Sequence, residues 1–120
     1  MAPRSQLEIA TSSVERLVKE EASYHRELQQ QTERIQKLES QEPGEDENRE
    51  YMLKQEMQRL ALEETKKVLP SLKQKIDEAV AKLESLLAEE GKKGPESNVE
   101  QITAGKEAIA KAKTAKREIA

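Results

Sequence analysis

The sequence predicts an all-α protein, an elongated antiparallel three-helix bundle of coiled-coil character, and three observations carry that prediction. Aromatic residues make up 2% of the chain, two Tyr with no Phe and no Trp, which leaves almost nothing from which to build the strands and cores of an all-β fold. Ala, Glu, Lys, Leu and Arg together exceed half of the 120 residues, the composition of long helices when a period of 3.5 to 3.6 residues accompanies it. That period is present in each of three segments, which the Pro- and Gly-containing stretches 41–47 and 91–96 separate.

The first segment places apolar side chains at Val14, Leu17, Tyr24, Leu28, Ile35 and Leu38, a heptad pattern in which Glu21 and Gln31 occupy the two remaining slots. A helix over about residues 6–40 follows. Its start lies between residues 6 and 13, because both Ser5 with Glu8 and Ser12 with Glu15 have the spacing of a capping box. The second segment, about 47–90, carries Leu53, Met57, Leu60, Val68, Leu72, Ile76, Ala79, Leu83 and Leu87, with Glu64 in the open position. Pro70 falls inside it. A proline removes a backbone donor and clashes with the carbonyl four residues back, so it kinks or ends a helix. The flanking residues offer no Gly or Asn cap, and the four-residue step from Val68 to Leu72 keeps the apolar face in phase. A single helix kinked at Pro70 is therefore expected, with two helices and a tight turn as the alternative. The third helix, about 97–118, opens at Ser97 with Glu100 as its capping partner. Its stripe of Ile102, Ile109, Ala112 and Ile119, with Val99 in the first turn, is thin. That helix is expected to be the least stable element and to fray at its end.

Two antiparallel helices of about 45 and 66 Å can bury each other's stripes, and the third covers the groove between them. The whole chain then forms one domain, 1–120. Glu and Lys at i, i+4 positions, such as Glu33 with Lys37 and Glu78 with Lys82, clothe the outside.

Chemistry has little to work with on such a scaffold. There is no cysteine, hence no disulfide, thiolate metal site or redox pair. The single His25 has no second His or Cys to join in a metal site and reads as a surface histidine. A phosphate loop at Gly105-Lys106 is ruled out, because Glu100 stands where its first glycine belongs and Glu107 where its Ser or Thr belongs. No enzyme, cofactor or metal is expected. No apolar run reaches membrane-spanning length and Met1 to Ser5 lacks the apolar centre of a secretory signal, so a cytosolic protein without membrane contact is expected. Residues 101–120 carry a net +3 and residues 1–100 a net −6. No aromatic residue sits among the tail lysines to stack on bases, so nucleic acid is not the expected partner. Binding through a helix face remains.

The residues Arg16-Leu17-Val18-Lys19-Glu20-Glu21-Ala22-Ser23-Tyr24 resemble the R-L-x-K-E-x-x-x-Y signature in the first helix of the tubulin-binding cofactor A family. Lys54-Gln55 near the start of the second helix, Leu69-Pro70 in its middle and the run from Leu72 to Leu87 continue the resemblance, which spans roughly residues 6–90. The loop 91–96 and the lysine-rich tail depart from it. The resemblance implies a three-helix bundle bent at the proline and a chaperone that holds quasi-native β-tubulin released from the cytosolic chaperonin. It also implies that β-tubulin is then passed toward assembly with α-tubulin, without nucleotide hydrolysis, in a cytoplasmic, cytoskeleton-associated setting. A monomer or weak homodimer is expected. The rival is a structural coiled-coil adaptor or tether that self-associates.

Partner-binding residues carried over on this resemblance are Arg16, Lys19, Glu20, Tyr24, Lys54, Gln55, Leu69 and Pro70. Each has an architectural reading beside it. Arg16 with Glu20 is also an i, i+4 helix pair, Tyr24 a core residue alongside Leu17 and Leu28, Leu69-Pro70 a bend, and Lys54-Gln55 a solvated surface. The tail residues Lys106, Lys111, Lys113 and Lys116 are further candidates, for a salt-sensitive approach to an acidic partner surface.

Overall fold

In the computed structural model, which describes residues 4–41 and 48–119 and side chains as far as Lys116, the first helix starts at its Ser5 capping box. The Glu8 N–H donates to Ser5 Oγ at 3.1 Å and the Ser5 N–H donates to Glu8 Oε1 at 3.2 Å, so two otherwise orphaned donors are satisfied reciprocally. Of the two possible starts, the earlier is used. Helix α1 then spans Gln6–Ser40, α2 spans Asn48–Gly91, a short 3₁₀ turn covers Gly94–Glu96, and α3 spans Val99–Ile119. No strand occurs among the described residues. Most of the expected loop 41–47, with Pro43-Gly44, lies outside the described residues, as do the side chain of Ile119 and the chain end.

Helix α2 runs unbroken through Pro70, which overturns the alternative of two helices joined by a turn there. With no N–H on Pro70, the Lys66 carbonyl lacks its intrahelical donor.

At the junction of α2 and α3, Gly94 supplies the left-handed backbone the reversal needs, with φ +61. The α3 cap is Asn98, not Ser97. Its Oδ1 accepts from the Gln101 N–H at 3.1 Å, while the Ser97 N–H is used by the preceding 3₁₀ turn, donating to the Gly94 carbonyl at 3.0 Å. Glu90 clasps this junction. Its Oε1 accepts from the Asn98 N–H at 3.0 Å, and its Oε2 meets Lys93 Nζ at 2.8 Å.

Packing divides the chain into two compact units. The first comprises Met1–Ala22 with Leu72–Ala120 and is a three-helix assembly. Leu7, Ala10 and Val14 of α1, Leu72, Ile76 and Leu83 of α2, and Ala108, Ile109 and Ala112 of α3 form its buried apolar core. Gly105 marks the close approach of α3. A Cβ there would stand 3.0 Å from Leu87 Cδ2, 3.4 Å from Thr11 Oγ1 and 3.5 Å from Leu83 Cδ1, so side chains of α1 and α2 close over the bare backbone. Val99, expected on the apolar face, is 68% exposed; the face begins with the half-buried Ile102. Lys116 Nζ reaches Asp77 Oδ1 at 3.5 Å, tying α3 to α2.

The second unit, Ser23–Ser71, pairs the end of α1 with the beginning of α2. An ion pair between Arg59 Nη2 and Glu39 Oε1 at 3.1 Å bridges the two helices. Along α1 the heptad holds: Tyr24, Leu28 and Leu38 are half-buried, Ile35 is buried, and Gln31 occupies its slot as a buried polar residue. Glu21, in the first unit, fills the other slot, also buried. Along α2 the expected seam is corrected. The residues turned inward are Tyr51, Gln55, Gln58, Leu62, Thr65 and Leu69, while Leu53, Met57, Leu60 and Val68 face solvent. Ile35 is the one buried apolar side chain of this unit among the described residues, and the Gln31 Oε1 one turn before it has no hydrogen-bond partner.

The helix pairs Glu33–Lys37 and Glu78–Lys82 are not among the ion pairs formed. Glu78 instead accepts from Gln74 Nε2 at 3.3 Å. Among the described residues the i, i+4 ion pair that does form is Arg16–Glu20, at a loose 3.9 Å.

Candidate partner-binding surface

A helix can bury only one stripe against its neighbour, so whatever projects from the other faces is available to a partner. Three of the carried-over residues of the first unit, Arg16, Lys19 and Glu20, project in this way from α1. The Arg16–Glu20 pair has side-chain exposures of 70% and 49%, a setting in which ion pairs contribute little to stability. Its charges are therefore open to exchange for a partner's.

The second unit holds the other five. Lys54 and Pro70 are exposed on α2. Tyr24, Gln55 and Leu69 are half-buried and lie on the seam positions of their helices, so packing accounts for much of their surface. The adjacent pair Lys54 and Gln55 is thus split between a solvent face and the seam.

The main group of exposed apolar side chains among the described residues lies on α2, at positions the sequence pattern assigned to the seam. Met52, Leu53, Met57 and Leu60 are 59%, 61%, 63% and 59% exposed. At about 100° per residue, Leu53, Met57 and Leu60 fall within about 60° of one another, on the face of α2 opposite Gln55, Gln58 and Leu62. A shallow groove along one flank is lined by Met52, Gln55, Glu56, Arg59, Leu60 and Glu63. Apolar exposure of this kind makes the face a candidate interaction surface. The signal that could have found it is the seam of the C-terminal half of α2. Stepping backward from Leu83, Ala79, Ile76 and Leu72 in alternating fours and threes reaches Leu69, Thr65, Leu62, Gln58, Gln55 and Tyr51, leaving Leu53, Met57 and Leu60 outside.

Electrostatically, the marked features lie at the α2–α3 junction. The Lys93 ammonium hydrogen-bonded to Glu90, together with the Asn98 N–H, holds the Glu90 carboxyl below the usual carboxylate range, and Glu90 in turn raises the Lys93 ammonium. This clasp is structural in character. Among the described residues no group of three or more His, Cys, Asp or Glu side chains is placed to hold a metal ion, and no helix is long and apolar enough to cross a membrane.

Helices that pack with one another and still offer charged and apolar outer faces describe a binding protein without specifying its partner. The sequence profile described as Tubulin binding cofactor A matches residues 2–109. The chain belongs to that family. The match extends past the resemblance seen over residues 6–90 and takes in α3 as far as Ile109, so the helix that departs from the signature is nevertheless part of the family's extent. All eight carried-over residues fall within it. Searches among curated proteins and among solved structures give no match. Membership of the tubulin binding cofactor A family makes this a chaperone-type, tubulin-binding cofactor of tubulin folding, with tubulin as its partner.

Proposed function

We propose that this cofactor captures quasi-native β-tubulin after its release from the cytosolic chaperonin, keeps it from aggregating and passes it toward assembly with α-tubulin in the cytoplasm. The observation that carries the reading is the family match over residues 2–109. The chemistry asked of the protein is modest. A tubulin subunit without its partner exposes surface that the heterodimer buries, and a binder that prefers the quasi-native state stabilises it by mass action, with no nucleotide hydrolysis. Helix faces dense in charge with apolar side chains among them suit that task, because they mask apolar surface while remaining exchangeable.

Within this reading, Arg16, Lys19, Glu20 and Lys54 supply the direct contacts, since burial explains none of them. Tyr24, Gln55 and Leu69 act from the seam, and Pro70 from its exposed position on α2. The experiment is native-gel or size-exclusion binding against chaperonin-released β-tubulin, with intact αβ-tubulin as control. A complex with β-tubulin alone supports the proposal; failure to bind it refutes the β-tubulin assignment. Charge reversal of Arg16 and Lys19 together is expected to weaken the complex at least tenfold and leave the melting temperature within about 2 °C, because exposed charges contribute little to folding. An equal loss of stability would make both residues structural.

A further inference from the structure

A serine followed three residues later by a carboxylate occurs three times in the sequence, at Ser5–Glu8, Ser12–Glu15 and Ser97–Glu100. The spacing has two uses: it makes a capping box at a helix start, and it is the charge pattern that acidophilic protein kinases read on an extended substrate backbone. The structure treats the three differently. Ser5 is committed to its cap. Its Oγ accepts from the Glu8 N–H at 3.1 Å and donates to Gln101 Oε1 at 2.9 Å, while Glu8 Oε1 accepts from the Ser5 N–H at 3.2 Å and from Gln101 Nε2 at 3.0 Å. Ser12 is half-buried on helical backbone inside α1. Ser97 alone is extended, with φ −67 and ψ 145, between the 3₁₀ turn and α3. The cap it could have made is made by Asn98 Oδ1, so its hydroxyl is not engaged among the described residues. Residues 91–96 before it and 98–100 after it are all exposed.

We propose that Ser97 is a phosphorylation site for an acidophilic serine/threonine kinase, and that its phosphate opens the Glu90 clasp at the α2–α3 junction. The proposal is independent of the tubulin reading. In the transfer, Ser97 Oγ attacks the γ-phosphorus of ATP and its proton passes to the kinase's catalytic carboxylate; the new O–P bond forms as the β,γ-bridging P–O bond breaks and ADP leaves. Glu96 before the serine and Glu100 after it supply the charge that such an enzyme reads. The product carries about −1.5 to −2 charge at pH 7. It stands one residue from the Asn98 N–H, which donates to Glu90 Oε1 at 3.0 Å. A phosphate there repels the Glu90 carboxylate and competes with it for Lys93, whose Nζ lies 2.8 Å from Glu90 Oε2. Both effects withdraw Glu90 from Asn98 and loosen the first turn of α3.

Incubation of the full chain with casein kinase 2 and Mg-ATP, followed by tandem mass spectrometry, tests the site. One phosphate at Ser97 is expected, with Ser5 and Ser12 modified at least tenfold more slowly. Ser97→Ala should abolish the incorporation without lowering the urea midpoint, since the hydroxyl holds no other group, and Glu100→Gln should slow it at least tenfold. Hydrogen exchange on the phosphorylated chain then reads the clasp. Protection of the Asn98 amide should fall about tenfold on phosphorylation, and in Glu90→Gln, where the charge to be repelled is gone, the fall should be clearly smaller. A chain that takes up no phosphate at Ser97, or takes it up as fast at Ser5 or Ser12, overturns the site. Phosphorylated Ser97 with Asn98 protection unchanged or raised overturns the opening of the clasp.

Discussion

Gly105 tests whether α3 is packed where the structure places it. Substitution by Ala adds a Cβ whose one tight neighbour is Leu87 Cδ2 at 3.0 Å, the far end of a flexible side chain; the other two contacts, at 3.4 and 3.5 Å, are tolerable. Against that strain stands the helix-propensity gain of Ala over Gly, about 0.8–1.0 kcal/mol. The two effects are of similar size, so Gly105→Ala should change stability by less than about 1 kcal/mol. Gly105→Leu is different. Its three further carbons must enter space already taken by Leu83, Leu87 and Thr11, and overpacking of that kind costs about 1–3 kcal/mol. In a chain of this length that is about 4 °C of melting temperature per kcal/mol. Urea unfolding followed by circular dichroism measures both variants, and limited proteolysis reports whether α3 is released. Gly105→Leu as stable as the parent, with α3 still protected, would refute the close approach of α3 to α1 and α2.

Ile76→Ala should cost about 2–5 kcal/mol in the same urea assay, because Ile76 is buried, whereas Leu28→Ala should cost clearly less, because Leu28 is only half-buried. Gln31→Leu should stabilise the protein by about 1 kcal/mol or more, since it removes a buried acceptor that has no partner; destabilisation in urea would show that the amide is satisfied. The Glu90 clasp gives a pH signature. Glu90 is held below its usual 4.5, so the stabilisation it lends the α2–α3 junction is present above that value and is lost as pH falls through its lowered folded-state value. Lys93 is raised above its usual 10.5, so its contribution is present below 10.5 and disappears as pH rises through the raised value. Protection of the Asn98 amide, measured against its intrinsic exchange rate at each pH, should therefore fall below about pH 4.5, and in Glu90→Gln that acid-dependent change should vanish.

The α1 heptad was legible because its polar slots are few and isolated. Val14, Leu17, Tyr24, Leu28, Ile35 and Leu38 fix the phase on either side of Glu21 and Gln31, so two polar residues could not hide it. In the first half of α2 the situation is reversed. Leu53, Met57 and Leu60 are themselves spaced by four and three, and they outshine a true seam in which Gln55, Gln58 and Thr65 are polar. Periodicity detects apolar residues in register, and it cannot tell which of two registers faces the neighbour; only phase continuity with the strongly apolar C-terminal half settles that. Val68 shows the error at its origin. The step from Val68 to Leu72 looks continuous, yet the seam enters Leu72 from Leu69, and Val68 is exposed. The candidate contacts fared similarly: charges on α1 are recognisable as surface from the heptad alone, but the split of Lys54 from Gln55 needed the correct phase of α2. The cap of α3 was misplaced by one residue because Ser97 and Asn98 both carry capping side chains, and the choice between them depends on the 3₁₀ turn before them.

The uneven distribution of apolar side chains between the two units has a physical consequence. In the first unit nine buried aliphatic residues come from three helices, and two of them, Leu83 and Val14, are fully inaccessible. In the second, two helices share one buried Ile35, a buried Gln31 and a buried Thr65 whose hydroxyl bonds back to the Ala61 carbonyl at 3.0 Å. A pair of helices with so polar a seam gains little from hydrophobic burial and holds its register largely through specific contacts such as Arg59–Glu39. Met52, Leu53, Met57 and Leu60 would have strengthened that seam had they faced it. Turned outward, they contribute little to folding and can complete their burial only against another molecule. Such an arrangement leaves the second unit with intrinsic stability that an external surface can add to, so its exchange protection should rise when a partner covers that face.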